Sequence, residues 1–169
     1  MVQLNSQLDK FLDLLEQETL CHQSLLTVIN DEKNALIDAN LMKLDQAAKV
    51  KGDLLSKLQI LNDQRIQRLG QLADHLAHPP QSLTLRILSQ LIAEPYVTRL
   101  KDCRSRLLTL VKNIQKANEH NRALLNGALE LISVSVNLIN NLLIPGPVYF
   151  RTGNLQNRNQ SGKLLRGEI

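Results

Sequence analysis

Apolar or small residues return at alternating steps of three and four along the last third of this chain. Leu100, Cys103, Leu107, Leu110, Ile114 and Ala117 are followed by Leu124, Ala128 and Leu131, and Asn121 is the one polar member of the series. Between Pro95 and Pro145 there is no proline and one glycine, Gly127. That pattern predicts a single amphipathic helix of about forty-eight residues, on the order of 70 Å long. Pro145-Gly146-Pro147 ends it.

Two more helices are predicted upstream. The first runs from about Leu4 to Ile37, with Leu4, Leu8, Phe11, Leu15, His22, Leu25, Leu26, Ile29 and Leu36 on its seam. Asp38-Ala39-Asn40 breaks it, because Asn40 is a good N-cap and Leu41-Met42 restarts the apolar pattern. The competing reading is one unbroken helix from Leu4 to His75, about 100 Å long. The second helix runs to about His75 and is stopped by His78-Pro79-Pro80. Ser82 is expected to cap a short third helix over Leu83–Glu94, with Pro95 in the first turn of the fourth. Helices of about thirty-five residues reach only about 50 Å, so the fourth is expected to outreach the hairpin it packs on. The fold class is all-α: an elongated antiparallel helical bundle or coiled coil, with residues 1–144 as one helical domain and 145–169 as a flexible basic tail.

Composition agrees. Hydrophobic residues make up 43% of 169, but aromatics only 2%, with no Trp. Leucine therefore does the packing, and the β-branched and aromatic runs that sheets favour are nearly absent. Net charge is +4, of which the tail carries +3 (Arg151, Arg158, Lys163 and Arg166 against Glu168). The body is close to neutral and has no stripe of Lys and Arg suited to nucleic acid. Met1–Phe11 lacks a basic and then apolar leader pattern, and Ala128–Ile144 contains Glu130, Asn137, Asn140 and Asn141, which counts against a membrane span. A soluble, cytoplasmic protein is expected. Cys21 and Cys103 read as small buried hydrophobes in a reducing compartment.

Little of the chain suggests catalysis. His75 and His78 have a chelating spacing but no third ligand nearby, no phosphate-binding loop or nucleophile elbow is present, and carboxylates are scattered. No enzyme, metal or cofactor is expected. A long helix followed by a tail offers no concavity to exclude water from a reaction; it suits a protein that binds another chain.

Four features bear on that binding. Lys51 and Arg65 lie at the seam of the second helix, fourteen residues apart. If the chain folds back at Ala39, Arg65 is expected to pair with Asp13 or Glu16 and fix the hairpin register, with Lys51 near the turn that ends at Asp31. Asn118 and Asn121 lie on the apolar face of the fourth helix, where they either set register or bond a docked peptide. From Leu124 onward, Leu125, Ala128, Leu129, Leu131, Ile132, Val134, Val136, Leu138, Ile139, Leu142, Leu143 and Ile144 cover well over half the circumference. Such a helix is buried in a bundle or homodimer, or bound by a partner. Tyr149-Phe150, an aromatic pair in a polar tail, either folds back or anchors a second partner.

The run from Ile29 to Arg65 resembles the signature of FlgN-type flagellar export chaperones. Its members are Glu32, Lys33, Ala35 and Leu36; then Asn40, Leu41 and Leu44; then Lys51, Leu54 and Leu55; then Arg65. Asn118, Asn121 and Leu124 are similar to the family's later Asn-x-x-Asn-x-x-Leu, and Tyr149–Gly153 to its close, though no glycine follows Tyr149. The resemblance implies a cytoplasmic chaperone that binds the disordered C-terminal ends of hook–filament junction proteins and hands them to the membrane export gate. The client would meet Asn118, Asn121, Leu124, Leu125, Ala128, Ile132, Val136, Ile139 and Leu143; Tyr149 and Phe150 would touch the gate; Lys51 and Arg65 would be structural. The rival readings are a coiled-coil oligomer without a client, in which a homodimer buries the fourth helix, and a module using its basic tail on nucleic acid or anionic lipid.

Overall fold

A computed structural model describes residues 2–143. Helix α1 spans Val2–Ile37 and α2 spans Leu41–His75; a 3-10 turn at Pro80–Ser82 leads to α3 at Leu85–Leu91, and α4 spans Tyr96–Leu143. The expected all-α architecture is present, with α1 and α2 separate helices. The predicted tail at 145–169, with Tyr149 and Phe150, lies outside the described residues. The described residues fall into two units that divide after Asn126.

Both long-helix breaks have the same backbone cause. Ala39 and Ala77 adopt positive φ, 49° and 51°. At the first, Asn40 N–H donates to Ala35 O (2.9 Å) and Ala39 N–H to Leu36 O (3.2 Å); at the second, His78 N–H donates to Ala73 O (3.0 Å) and Ala77 N–H to Asp74 O (3.3 Å). Each is the paired closure of a Schellman motif, which satisfies the last carbonyls of the helix. Asn40 then caps α2 through its side chain, which accepts from Lys43 N–H at 3.0 Å. A carboxamide there fills one of the orphan donors of the new helix.

The third helix is shorter than expected and is capped by a different residue. Ser82 Oγ donates to Pro79 O within the 3-10 turn, so it does not cap α3. Thr84 does, accepting from Ile87 N–H at 3.2 Å. Leu83, between them, is buried. The C-terminal end comes at Leu91 because Ile92 turns extended. Pro95 stands just before α4 and not inside its first turn; Glu94 serves there, its carboxylate accepting from Thr98 Oγ1 at 2.8 Å.

In the unit up to Asn126, α1 is the helix the others pack on. Leu8, Phe11, Leu12 and Leu15 of α1 meet Leu72 and Ala73 of α2, Leu83, Leu88 of α3, and Leu100 and Cys103 of α4. Further along α1, Leu14 and Cys21 pack with Leu61, and Leu25 and Ile29 with Ile114. The order of these contacts makes α4 parallel to α1 and α2 antiparallel to it. Each buried leucine contributes roughly 1.5–3 kcal/mol relative to exposure. Cys21 and Cys103 are both buried and free, and burial pushes the Cys21 thiol above its ordinary pKa.

Of the second unit, the structure describes the residues from Gly127 to Leu143, all helical.

Candidate partner-binding face

Three helices are tied together at one carboxylate. Lys51 Nζ of α2 donates to Glu32 Oε2 at 2.8 Å, and Asn121 Nδ2 of α4 donates to the same oxygen at 3.2 Å. Asn121 Nδ2 also donates to the Ile29 carbonyl at 2.8 Å. Asn121 is 6% exposed, and its Oδ1 has no protein partner. The side chain holds α4 in register on α1, the role polar seam residues play in coiled coils.

Arg65 pairs with Glu18, not with Asp13 or Glu16. Its Nε lies 3.2 Å from Glu18 Oε2 without hydrogen-bond alignment, so the pair is electrostatic, and Nη2 donates to Asn62 Oδ1 at 2.6 Å. The correction follows from side-chain direction. Cα–Cβ bonds tilt toward the N-terminus of their own helix. In an antiparallel pair both tilts point away from where the Cα levels match, and the leans add. Arg65 leans back to the level of Asn62, as its bond to that residue records, and there it meets the end of Glu18, which leans the opposite way, toward the N-terminus of α1. Lys51 and Glu32 are offset identically: Lys51 stands fourteen residues before Arg65, and Glu32 fourteen after Glu18. That matched spacing was a signal in the sequence.

The side chains expected to bind a partner divide into two sets. Asn118 and Leu124 are half-buried and Asn121 is buried; they belong with the packed part of α4. Every residue from Leu125 to Leu142 is exposed. Leu125, Ala128, Ile132, Val136 and Ile139 are in this stretch; Leu143's side chain is outside the described residues. The apolar exposure is large, 60% for Ile132, 70% for Leu131 and 76% for Leu142. Scattered exposed leucines need no explanation, but a continuous apolar run of this length marks an interaction surface.

An 18-residue window of α4 reaches a mean hydropathy of 1.3 and is long and apolar enough to cross a membrane. Its polar groups argue otherwise. Asn126, Glu130, Ser133, Asn137 and Asn141 gather on one side of the helix, so the stretch is amphipathic. In a bilayer, Glu130 and the asparagines would have to be buried in hydrocarbon.

Among the described residues, shallow grooves lie between α1 and α2, one lined by Lys10, Asp13, Gln17, Gln64 and Arg68, another by Val28, Asp31, Asp38, Lys43 and Val50. Among the described residues no group of three or more His, Cys, Asp or Glu could hold a metal ion. His75 and His78 each bond a nearby carbonyl, of Gln71 and Pro79.

A family model described as FlgN protein matches residues 1–157 of the chain. No curated protein and no solved structure matches it significantly.

Proposed function

The chain belongs to the FlgN family, a family of flagellar export chaperones, and we propose that its clients are the hook–filament junction proteins, whose disordered C-terminal segments it binds and delivers to the export gate. The observation that carries this reading is the uninterrupted exposure of Leu125 to Leu142. A helix apolar on most of its surface is stable in water only when something covers it. A client segment that forms its own amphipathic helix would lay its leucines along Leu125, Ala128, Ile132, Val136 and Ile139, the helix-in-groove mode of recognition. FlgN chaperones as a family are soluble cytoplasmic proteins, and we place this one in the cytoplasm.

Such a complex forms by coupled folding and binding. Ordering two segments offsets part of the gain from apolar burial, leaving an affinity from which the client can be released without chemistry by the chaperone. Contact with the gate is assigned to Tyr149 and Phe150.

The test is calorimetric titration with the C-terminal segment, about 50 residues, of a junction protein from the same organism, with mass from light scattering. Saturable binding with a negative heat-capacity change, lost in the double variant Leu125→Asp, Ile132→Asp, is the expected result. A stably dimeric protein that binds no client would show that the face serves self-association.

A further inference from the structure

The width of the apolar face fixes how many helices can cover it. At 3.6 residues per turn, the α4 residues that pack on α1 and α2 between Leu100 and Leu124 lie within an arc of about 120°. Two helices line that arc: Ile114 shares a buried cluster with Leu25 and Ile29 of α1, and Leu54 and Leu58 of α2 pack against the same cluster. Between Leu125 and Leu142 the apolar arc widens to about 220°, from Val134 round to Leu129. Leu131 and Leu138 form one flank, Leu129 and Val136 the other, and the two flanks point about 160° apart. All four side chains are exposed. One docked helix covers a stripe of roughly 100° and cannot touch both flanks.

We infer that the client presents two amphipathic helices to α4, one on the Leu131–Leu138 flank and one on the Leu129–Val136 flank, an inference that rests on the client-binding reading above. To cover the eighteen residues from Leu125 to Leu142, each helix needs a similar length, about 27 Å, so the client segment with its turn is about 40 residues long. The seam supports a pair of helices. The three-four spacing of Ile114, Ala117, Asn121 and Leu124, which receives α1 and α2, continues without a phase break through Ala128, Leu131, Ser135, Leu138 and Leu142. A second copy of the chain is the poorer occupant. One α4 paired with another covers one flank only, and between Ala123 and Leu143 Glu130 is the single ionisable side chain, so the charge pairs that specify self-association of coiled coils are missing.

The experiment titrates the full-length chaperone and two flank variants, Leu131→Asp with Leu138→Asp and Leu129→Asp with Val136→Asp, with the same client segment and with each half of it. Circular dichroism checks that helix content is kept; a variant that loses helix is replaced by its Leu→Gln or Val→Gln counterpart. Both flank variants are expected to weaken binding at least about tenfold, and each half-segment to bind at least about a hundredfold more weakly than the whole. A flank variant that binds like the wild type, or a half-segment as tight as the whole, would establish a single docked helix and overturn the inference while leaving client binding intact. A free protein that is dimeric until one flank is substituted would assign that flank to a second copy and also overturn it. A wild-type protein that binds no client at all would remove the underlying reading with it.

Discussion

Asn121 of α4 and Glu32 of α1 stand 3.2 Å apart, and the Glu32 oxygen that accepts from Asn121 is the one that Lys51 reaches from α2. One carboxylate thus receives a donor from each of the other two long helices. Asn121 sits four residues before Leu125, where burial along α4 ends. The cluster fixes the rotation of α4 on α1 within the unit up to Asn126.

Removing Lys51 leaves the part-buried Glu32 carboxylate without its cation. Lys51→Leu is expected to lower stability by about 1–3 kcal/mol, and Lys51→Leu with Glu32→Leu to recover most of that loss, since a buried pair is costly to break but can be replaced by apolar groups. Asn121→Leu should change stability by less than about 1 kcal/mol while loosening register. Urea unfolding of the set measures all three. Equal losses for single and double variants would show that the pair is not coupled.

Ala39 and Ala77 hold positive φ with a Cβ present. Ala39→Gly and Ala77→Gly are each expected to raise stability by about 0.5–1 kcal/mol, because glycine occupies that region without the steric cost. Thermal unfolding would register this as a rise of a few degrees. A fall in stability at either site would mean that the loop conformation differs from the one described.

Cys21 is buried, and desolvation pushes its thiol pKa up. Less thiolate is therefore present at pH 8 than for a free cysteine, and alkylation in the native state should be slower than in urea by orders of magnitude. The sign for stability follows: a raised folded-state pKa contributes stability below the ordinary thiol pKa, and that contribution is lost as pH rises through the folded value. Native-state alkylation as fast as that of a peptide thiol would place Cys21 at the surface.

Client binding through Leu125–Leu142 should depend little on salt. Glu130 is the one charge there, and apolar burial is not screened. Titration at 0.05 M and 0.5 M salt should give dissociation constants within about threefold. A steep loss of affinity with salt would point to the basic tail.

Much of the fold was legible in the sequence because its punctuation is chemical. Asn40 announced a cap, Pro79-Pro80 a stop, and the spacing of leucines a helical face. Ser82 misled because it and Thr84 are both good caps two residues apart, and Ser82's hydroxyl is engaged by Pro79. The partner of Arg65 was missed because matching Cα levels ignores the lean of two long side chains. The division of the candidate site was also illegible. Periodicity runs unchanged from Leu100 to Leu142, and it tells which side of a helix is apolar but not where another helix stops covering it. Asn121 and Leu125 therefore read alike in sequence, yet one is buried against Ile29 and the other is exposed.

Whether Leu125–Leu142 is the face that a client covers is read out by hydrogen exchange across α4 in the free protein and with the client segment bound. Amides from Leu125 to Leu142 are expected to exchange fast in a free monomer, while those from Leu100 to Ile114 are protected, and client binding is expected to slow the former by at least about tenfold. Protection of Leu125–Leu142 already present in the free protein, or exchange there unchanged by a saturating client, would contradict it.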